Sequence, residues 1–195
     1  KNFNITINSG ARIGIIGENG IGKTTLIKCI IEEGFSDKGS VKWSENSSIG
    51  YFAQNHGEDF KSDISLIDWL AKWSHKDDDL ETIRGTLGRL LFSQDDIEKP
   101  VSVLSGGEQR RMIFGKIILQ RANVIIMDEP TNHLDMESIE ALNHALSIFE
   151  GTVIFVSHDR EFISSLSTRL LEIDNEKVKE YSGGYDSYRK LLVEA

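Results

Sequence analysis

The residues Gly17-Glu18-Asn19-Gly20-Ile21-Gly22-Lys23-Thr24 fit the pattern G-x-x-x-x-G-K-[ST]. The chemistry of that pattern is phosphate binding. Its glycines let the backbone curl so that successive N–H groups converge on phosphate oxygens. The helix that follows adds the positive end of its dipole. A lysine at position 23 can reach the outer phosphates, and the Thr24 hydroxyl can hold Mg²⁺. A second group of chemically competent residues lies about a hundred residues on. There the apolar run 124–127 ends in Asp128 and Glu129. Asp128 can support a metal ion, and Glu129 can polarise a water for attack on phosphorus. A third apolar run, 152–156, ends in Ser157-His158-Asp159, and His158 there can hydrogen-bond a phosphate.

These groups can act together only if the chain brings the ends of their strands to one edge. The pattern of apolar runs says that it does. Residues 12–17, 124–127 and 152–156 are short and apolar, as in strands covered on both faces. Helices are expected at 22–33, from the signature region to about 121, at 136–149, 160–167 and 185–193. Residues 40–43 and 48–52 are expected as two strands about a polar turn, and 170–173 and 178–181 as a closing pair. Residues 1–7 alternate through Phe3, Ile5 and Ile7 like a strand already under way. Strands alternating with helices predict an α/β fold with a mainly parallel sheet and ligands beyond the carboxyl ends of its strands.

Composition narrows the functions. The chain has 195 residues, 22 Lys+Arg against 31 Asp+Glu, and a net charge of −9. That balance argues against a broad nucleic-acid-binding surface, which draws its phosphate contacts from Lys and Arg. No apolar run approaches the ~20 residues that cross a bilayer. The single Cys29 fits a packed small residue in a reducing compartment. Residues 57–100 hold eleven acids against six bases, more than half of the net charge. Leu66, Leu70 and Trp73 within them have amphipathic helical spacing. A separate helical lobe over residues 57–104 is expected, with Trp69 and Trp73 in its core. The chain opens on Lys1 without a leader-like segment, and is expected to be one domain, 1–195, cut from a longer protein.

Leu104-Ser105-Gly106-Gly107-Glu108-Gln109 precedes a helix and resembles the signature of ATP-binding-cassette (ABC) ATPases. The order of phosphate loop, Gln54, signature, Asp128-Glu129, Asp135 and His158 resembles that of an ABC nucleotide-binding domain over nearly the whole chain. Three segments resemble the ABC-F subfamily. They are Pro130-Thr131-Asn132-His133-Leu134-Asp135, Ser157-His158-Asp159-Arg160-Glu161-Phe162, and Tyr181-Ser182-Gly183-Gly184-Tyr185-Asp186-Ser187-Tyr188. Residues 41–46 with 90–96 look like the second cassette of that subfamily's YbiT branch.

The resemblance implies a P-loop NTPase fold of ABC type with a small antiparallel β part and an inserted helical subdomain. It implies ATP and Mg²⁺ as ligands. Gly17, Glu18, Asn19, Gly20, Ile21, Gly22, Lys23, Thr24, Thr25 and Gln54 would then hold nucleotide, and Thr24, Gln54 and Asp128 the metal. Glu129 and His158 would be catalytic. Ser105, Gly106, Gly107 and Glu108 would serve a nucleotide on a second cassette, and Asp135 would form the D-loop. The family's adenine-stacking aromatic lies upstream of Lys1. ABC-F proteins pair two cassettes, lack a membrane domain and act on ribosomes, so a cytoplasmic ATPase that is weak as an isolated cassette is expected. Two other readings stay open at this point. One is the nucleotide-binding subunit of a membrane transporter. The other is an ATP-gated binding module with little hydrolysis.

Overall fold

Six strands make one sheet in a computed structural model that describes residues 3–31, 38–54, 57–132, 134–175 and 177–194. The strands are β1 (Arg12–Gly17), β2 (Ile49–Phe52), β3 (Val124–Asp128), β4 (Thr152–Val156), β5 (Arg169–Asp174) and β6 (Lys177–Ser182). Their order across the sheet is β2-β3-β4-β1-β5-β6. All neighbours are parallel except β5 and β6, which form the expected antiparallel part at one edge. Seven helices are described: α1 (Lys23–Ile31), α2 (Leu66–Ala71), α3 (Leu80–Arg89), α4 (Gly106–Leu119), α5 (Met136–Ser147), α6 (Arg160–Leu166) and α7 (Gly184–Glu194).

Both faces of the sheet are covered, which is why β3 and β4 read as unbroken apolar runs and are buried throughout. Strand alternation sends Ile13, Ile15, Ile126, Ile154 and Val156 to one face, where Ile27 of α1 packs. Met127, Val153, Phe155 and Leu170 go to the other face, against Met112 and Ile113 of α4, Leu142 of α5 and Phe162 of α6. The helices α2 and α3 join that second cluster through Leu66, Trp69, Leu70, Ile83 and Leu87. Trp69 stacks on Phe60 at 4.9 Å, so it is core, and Trp73 packs beside it. Cys29 is half-buried in α1.

Two expected strands are absent among the described residues. Residues 40–43 make no ladder; Trp43 instead packs beside α1 and donates its indole N–H to the Ile30 carbonyl at 3.2 Å. Residues 3–8 are likewise unpaired as strand, although Phe3, Ile5 and Ile7 do pack on the α1 side of the sheet. In both places apolar alternation recorded packing against neighbours and not pairing. The expectations for residues 1–2, 32–33 and His133 lie outside the described residues.

Candidate functional site

Strands β1, β2, β3 and β4 run parallel, so their carboxyl ends lie along one edge of the sheet. That edge carries Gly17 after β1, Gln54 just past β2, Asp128 and Glu129 at the end of β3, and His158 just past β4. The strand order reverses at β1, whose neighbours are β4 and β5. Such a reversal opens the crevice in which α/β sheets bind ligands.

The loop from β1 into α1 turns on backbone that only glycine adopts freely. Gly17, Gly20 and Gly22 have φ of 152°, 76° and 111°. At Gly17 a Cβ would also lie 2.7 Å from the Ile173 carbonyl oxygen. Lys23 folds back over this loop and is 7% exposed. Its Nζ donates to the carbonyls of Gly17 and Glu18, both at 2.9 Å. Burial pulls the lysine pKa down, opposed by the charges of Glu129 and Asp128. Thr24 is half-buried and Thr25 exposed on the first turn of α1.

Asp128 and Glu129 are 1% and 5% exposed. Glu129 sits in the left-handed region at φ 52°. Its N–H donates to the Val156 carbonyl at 2.9 Å, continuing the β3–β4 ladder by one residue past Asp128. Its Oε1 lies 3.0 Å from Nε2 of the exposed His158. Burial pushes the Glu129 carboxyl above its ordinary range, and His158 and Lys23 hold it down in part. The turns after β3 and β4 also meet through Thr131 and Ser157, whose buried hydroxyls are 3.3 Å apart.

Three carboxylate oxygens at this edge are buried without a hydrogen-bond partner among the described residues: both of Asp128 and Oε2 of Glu129. Buried anionic oxygens are costly unless paired or bound to a cation. An all-oxygen set of this kind, with the Thr24 hydroxyl on the first turn of α1, suits Mg²⁺ completed by phosphate and water. The residues therefore fit a magnesium nucleotide.

The signature residues lie elsewhere, at the start of α4. Ser105 caps the helix, and Glu108 returns the bond to the Ser105 N–H at 2.8 Å, a complete capping box. The same serine holds the Glu108 carboxyl below its usual range. Gly106 is exposed and Gly107 half-buried, and a Cβ on either would meet nothing within 4 Å. The backbone at the N-terminus of α4 is thus uncovered at these two glycines. Asp135 is exposed and caps α5 by accepting from the Ser138 N–H. Gln54 is exposed. The structure brings together Lys23, Asp128, Glu129 and His158; Ser105, Gly106, Gly107 and Glu108 lie apart from them at the start of α4, and Asp135 at the start of α5. Sequence reasoning missed Thr131, Ser157 and the buried Arg110, whose Nη1 donates to the Glu129 carbonyl at 3.3 Å. Serine and threonine in turns, and arginine on a helix, carry no signal that separates such partners from solvent-facing side chains.

Residues 1–132 match the family described as ABC transporter. The ATP-binding protein YbiT of Escherichia coli O157:H7 is 55% identical over 188 residues, 96% of this chain and 36% of that protein. ATP-binding cassette sub-family F member 3 of Rattus norvegicus is 40% identical over 185 residues, 94% of this chain and 26% of that one. Among solved structures, the archaeal ribosome recycling factor aABCE1 in complex with the ribosomal stalk protein aP1 superposes with a TM-score of 0.74 at 27% identity, covering 96% of this chain and 37% of that chain. The chain spans about a third of the length of the curated relatives it matches. No helix among the described residues is long and apolar enough to cross a membrane. The chain belongs to the ABC transporter family as one ATP-binding-cassette domain, a family that hydrolyses ATP.

Proposed function

We propose that this cassette binds Mg-ATP at the crevice beyond β1, β3 and β4 and hydrolyses it when a second cassette closes over the nucleotide. The observation that carries the reading is the set of buried, unpartnered oxygens of Asp128 and Glu129 beside Lys23. Backbone N–H groups of Gly17–Thr24 would cradle the phosphates, and Lys23 would exchange its carbonyl partners for the outer phosphates. Thr24, Gln54 and Asp128 would hold Mg²⁺, which neutralises phosphate charge when bound. Glu129 aligns the attacking water and accepts its proton; its raised proton affinity suits that role. His158, tied to Glu129, donates toward the γ-phosphate side.

Ser105, Gly106, Gly107 and Glu108 serve the nucleotide of the partner cassette, and Asp135 lies at the seam between the two. Residues 57–104 act as a helical subdomain that carries this signature. Positioning and charge stabilisation dominate phosphoryl transfer, so an unpaired cassette turns over slowly. The parent protein acts on ribosomes in the cytoplasm, without a membrane partner. The likeness to sub-family F member 3 and to a ribosome recycling factor supports that role.

The test uses the full-length protein and its Glu129→Gln variant. Hydrolysis falls by about a hundredfold or more in the variant while ATP binding persists. ATP then holds the variant on ribosomes in sucrose gradients. Unchanged hydrolysis removes Glu129 from catalysis, and failure to sediment with ribosomes removes the translational role.

A further inference from the structure

Arg110 is the one arginine of α4 that the fold hides: it is 8% exposed, one helical turn after Gly106. Its guanidinium lies 5.7 Å from the Phe52 ring centroid, and Phe52 stacks on Phe114 of the same helix at 4.6 Å. This aromatic pair fixes where the guanidinium can go. The group it reaches is the main-chain carbonyl of Glu129, at 3.3 Å. That carbonyl also accepts the Asn132 N–H at 3.3 Å. The residue so held is the one with φ of 52°, a conformation that a side-chain-bearing residue rarely adopts. Such backbone persists only where its surroundings over-determine it. Here the N–H of Glu129 is pinned by Val156, and its carbonyl by Asn132 and Arg110.

We infer that Arg110 is a positioning residue for Glu129, and that through it the signature helix sets the aim of the carboxylate beside His158. The inference rests on the hydrolytic reading given above and adds a regulatory link to it. The two ends of the link belong to two different nucleotides. The first turn of α4 faces the ligand of the partner cassette, and Glu129 faces the ligand of this one. A shift or stiffening of α4 on partner binding moves the Arg110 donor against the Glu129 carbonyl. Each nucleotide thereby biases the geometry at the other, without any contact between Arg110 and either. Hydrogen bonds from a cation are the stronger kind, so removing this one loosens the turn more than losing a neutral donor.

The experiment compares the full-length protein with Arg110→Met, which keeps an apolar stem, with Arg110→Lys, which restores a cationic donor, and with Glu129→Gln. Steady-state hydrolysis, binding of a fluorescent ATP analogue, thermal melting and hydrogen exchange of the segment 128–132 are read for each. The expected result is a kcat lowered about tenfold in Arg110→Met, with analogue affinity unchanged and partial recovery of kcat in Arg110→Lys. Exchange in 128–132 accelerates in Arg110→Met even without nucleotide. Exchange and kcat both equal to the unsubstituted protein overturn the inference, as does a parallel loss of affinity and kcat with a lowered melting temperature. If Glu129→Gln hydrolyses as fast as the unsubstituted protein, it is the hydrolytic reading that fails, and the exchange measurement still decides whether Arg110 holds the turn.

Discussion

His158 Nε2 lies 3.0 Å from Glu129 Oε1, joining the turns that follow two adjacent parallel strands. The exposed imidazole reaches a carboxylate that is itself buried. His158→Ala is expected to lower hydrolysis about a hundredfold while ATP affinity holds. Single-turnover hydrolysis beside equilibrium binding of an ATP analogue checks this; a parallel loss of both would assign His158 to nucleotide binding alone.

Lys23 rests between two loop carbonyls, ready to trade them for phosphate oxygens. Lys23→Ala should weaken ATP binding at least about tenfold, since one charge-assisted contact to phosphate is worth about 1.5–3 kcal/mol. Titration of a fluorescent nucleotide gives the answer, and an unchanged affinity would place the phosphates elsewhere.

Removal of Mg²⁺ with a chelator should abolish hydrolysis and weaken ATP binding. With the metal held as proposed, Asp128→Asn should flatten the dependence of binding on Mg²⁺ concentration, because it replaces one of the two buried oxygens of Asp128 that have no partner among the described residues. A binding curve with the same Mg²⁺ midpoint in both proteins would take Asp128 out of the metal site.

The capping box makes a pH-dependent stability prediction. Ser105 holds Glu108 below its ordinary value of 4.5, so this contribution is present above about pH 4.5 and is lost as pH falls through the lowered value. Ser105→Ala should destabilise the protein by about 1 kcal/mol near neutrality. Urea unfolding at pH 7 and at pH 3.5 should show the gap between the two proteins narrowing in acid.

Two buried glycines should respond differently to alanine. At Gly50 in β2 a Cβ would lie 2.7 Å from Ile117 Cγ2 and 3.0 Å from Ala122 Cβ, neither of which can move aside cheaply. Gly50→Ala should cost about 1–3 kcal/mol by overpacking. At Gly115 in α4 the contacts are the ends of Leu90 and Leu70 side chains, and alanine gains about 0.5–1 kcal/mol of helix preference. Gly115→Ala should therefore lie near neutral, and denaturant midpoints of the two variants will separate them.

Much of this architecture was legible because its signals are local. The runs at 12–17 and 152–156 match β1 and β4 residue for residue, since doubly covered strands are apolar without interruption. The helix expected after the signature residues forms as α4, with Ser105 as its cap. Residues 40–43 misled because Trp43 packs on α1 outside any strand among the described residues, and a lone sequence does not distinguish the two uses of an alternating stretch. The meeting of Glu129 and His158 followed from placing both at ends of parallel strands, not from their spacing along the chain. Arg110 stayed hidden because Arg110 and Arg111 look like a solvated pair until the fold shows which one is buried.

The position of β1 between β4 and β5 has a kinetic consequence. This strand ends at Gly17, yet both its partners lie beyond residue 150. Closing so long a loop is slow and is favoured only once those partners exist. Within this cassette the phosphate loop is made before the strands that flank β1, and it acquires its shape only once they pair. Acquisition of nucleotide binding in a refolding or translation time course should therefore lag behind helix formation and report completion of the whole sheet.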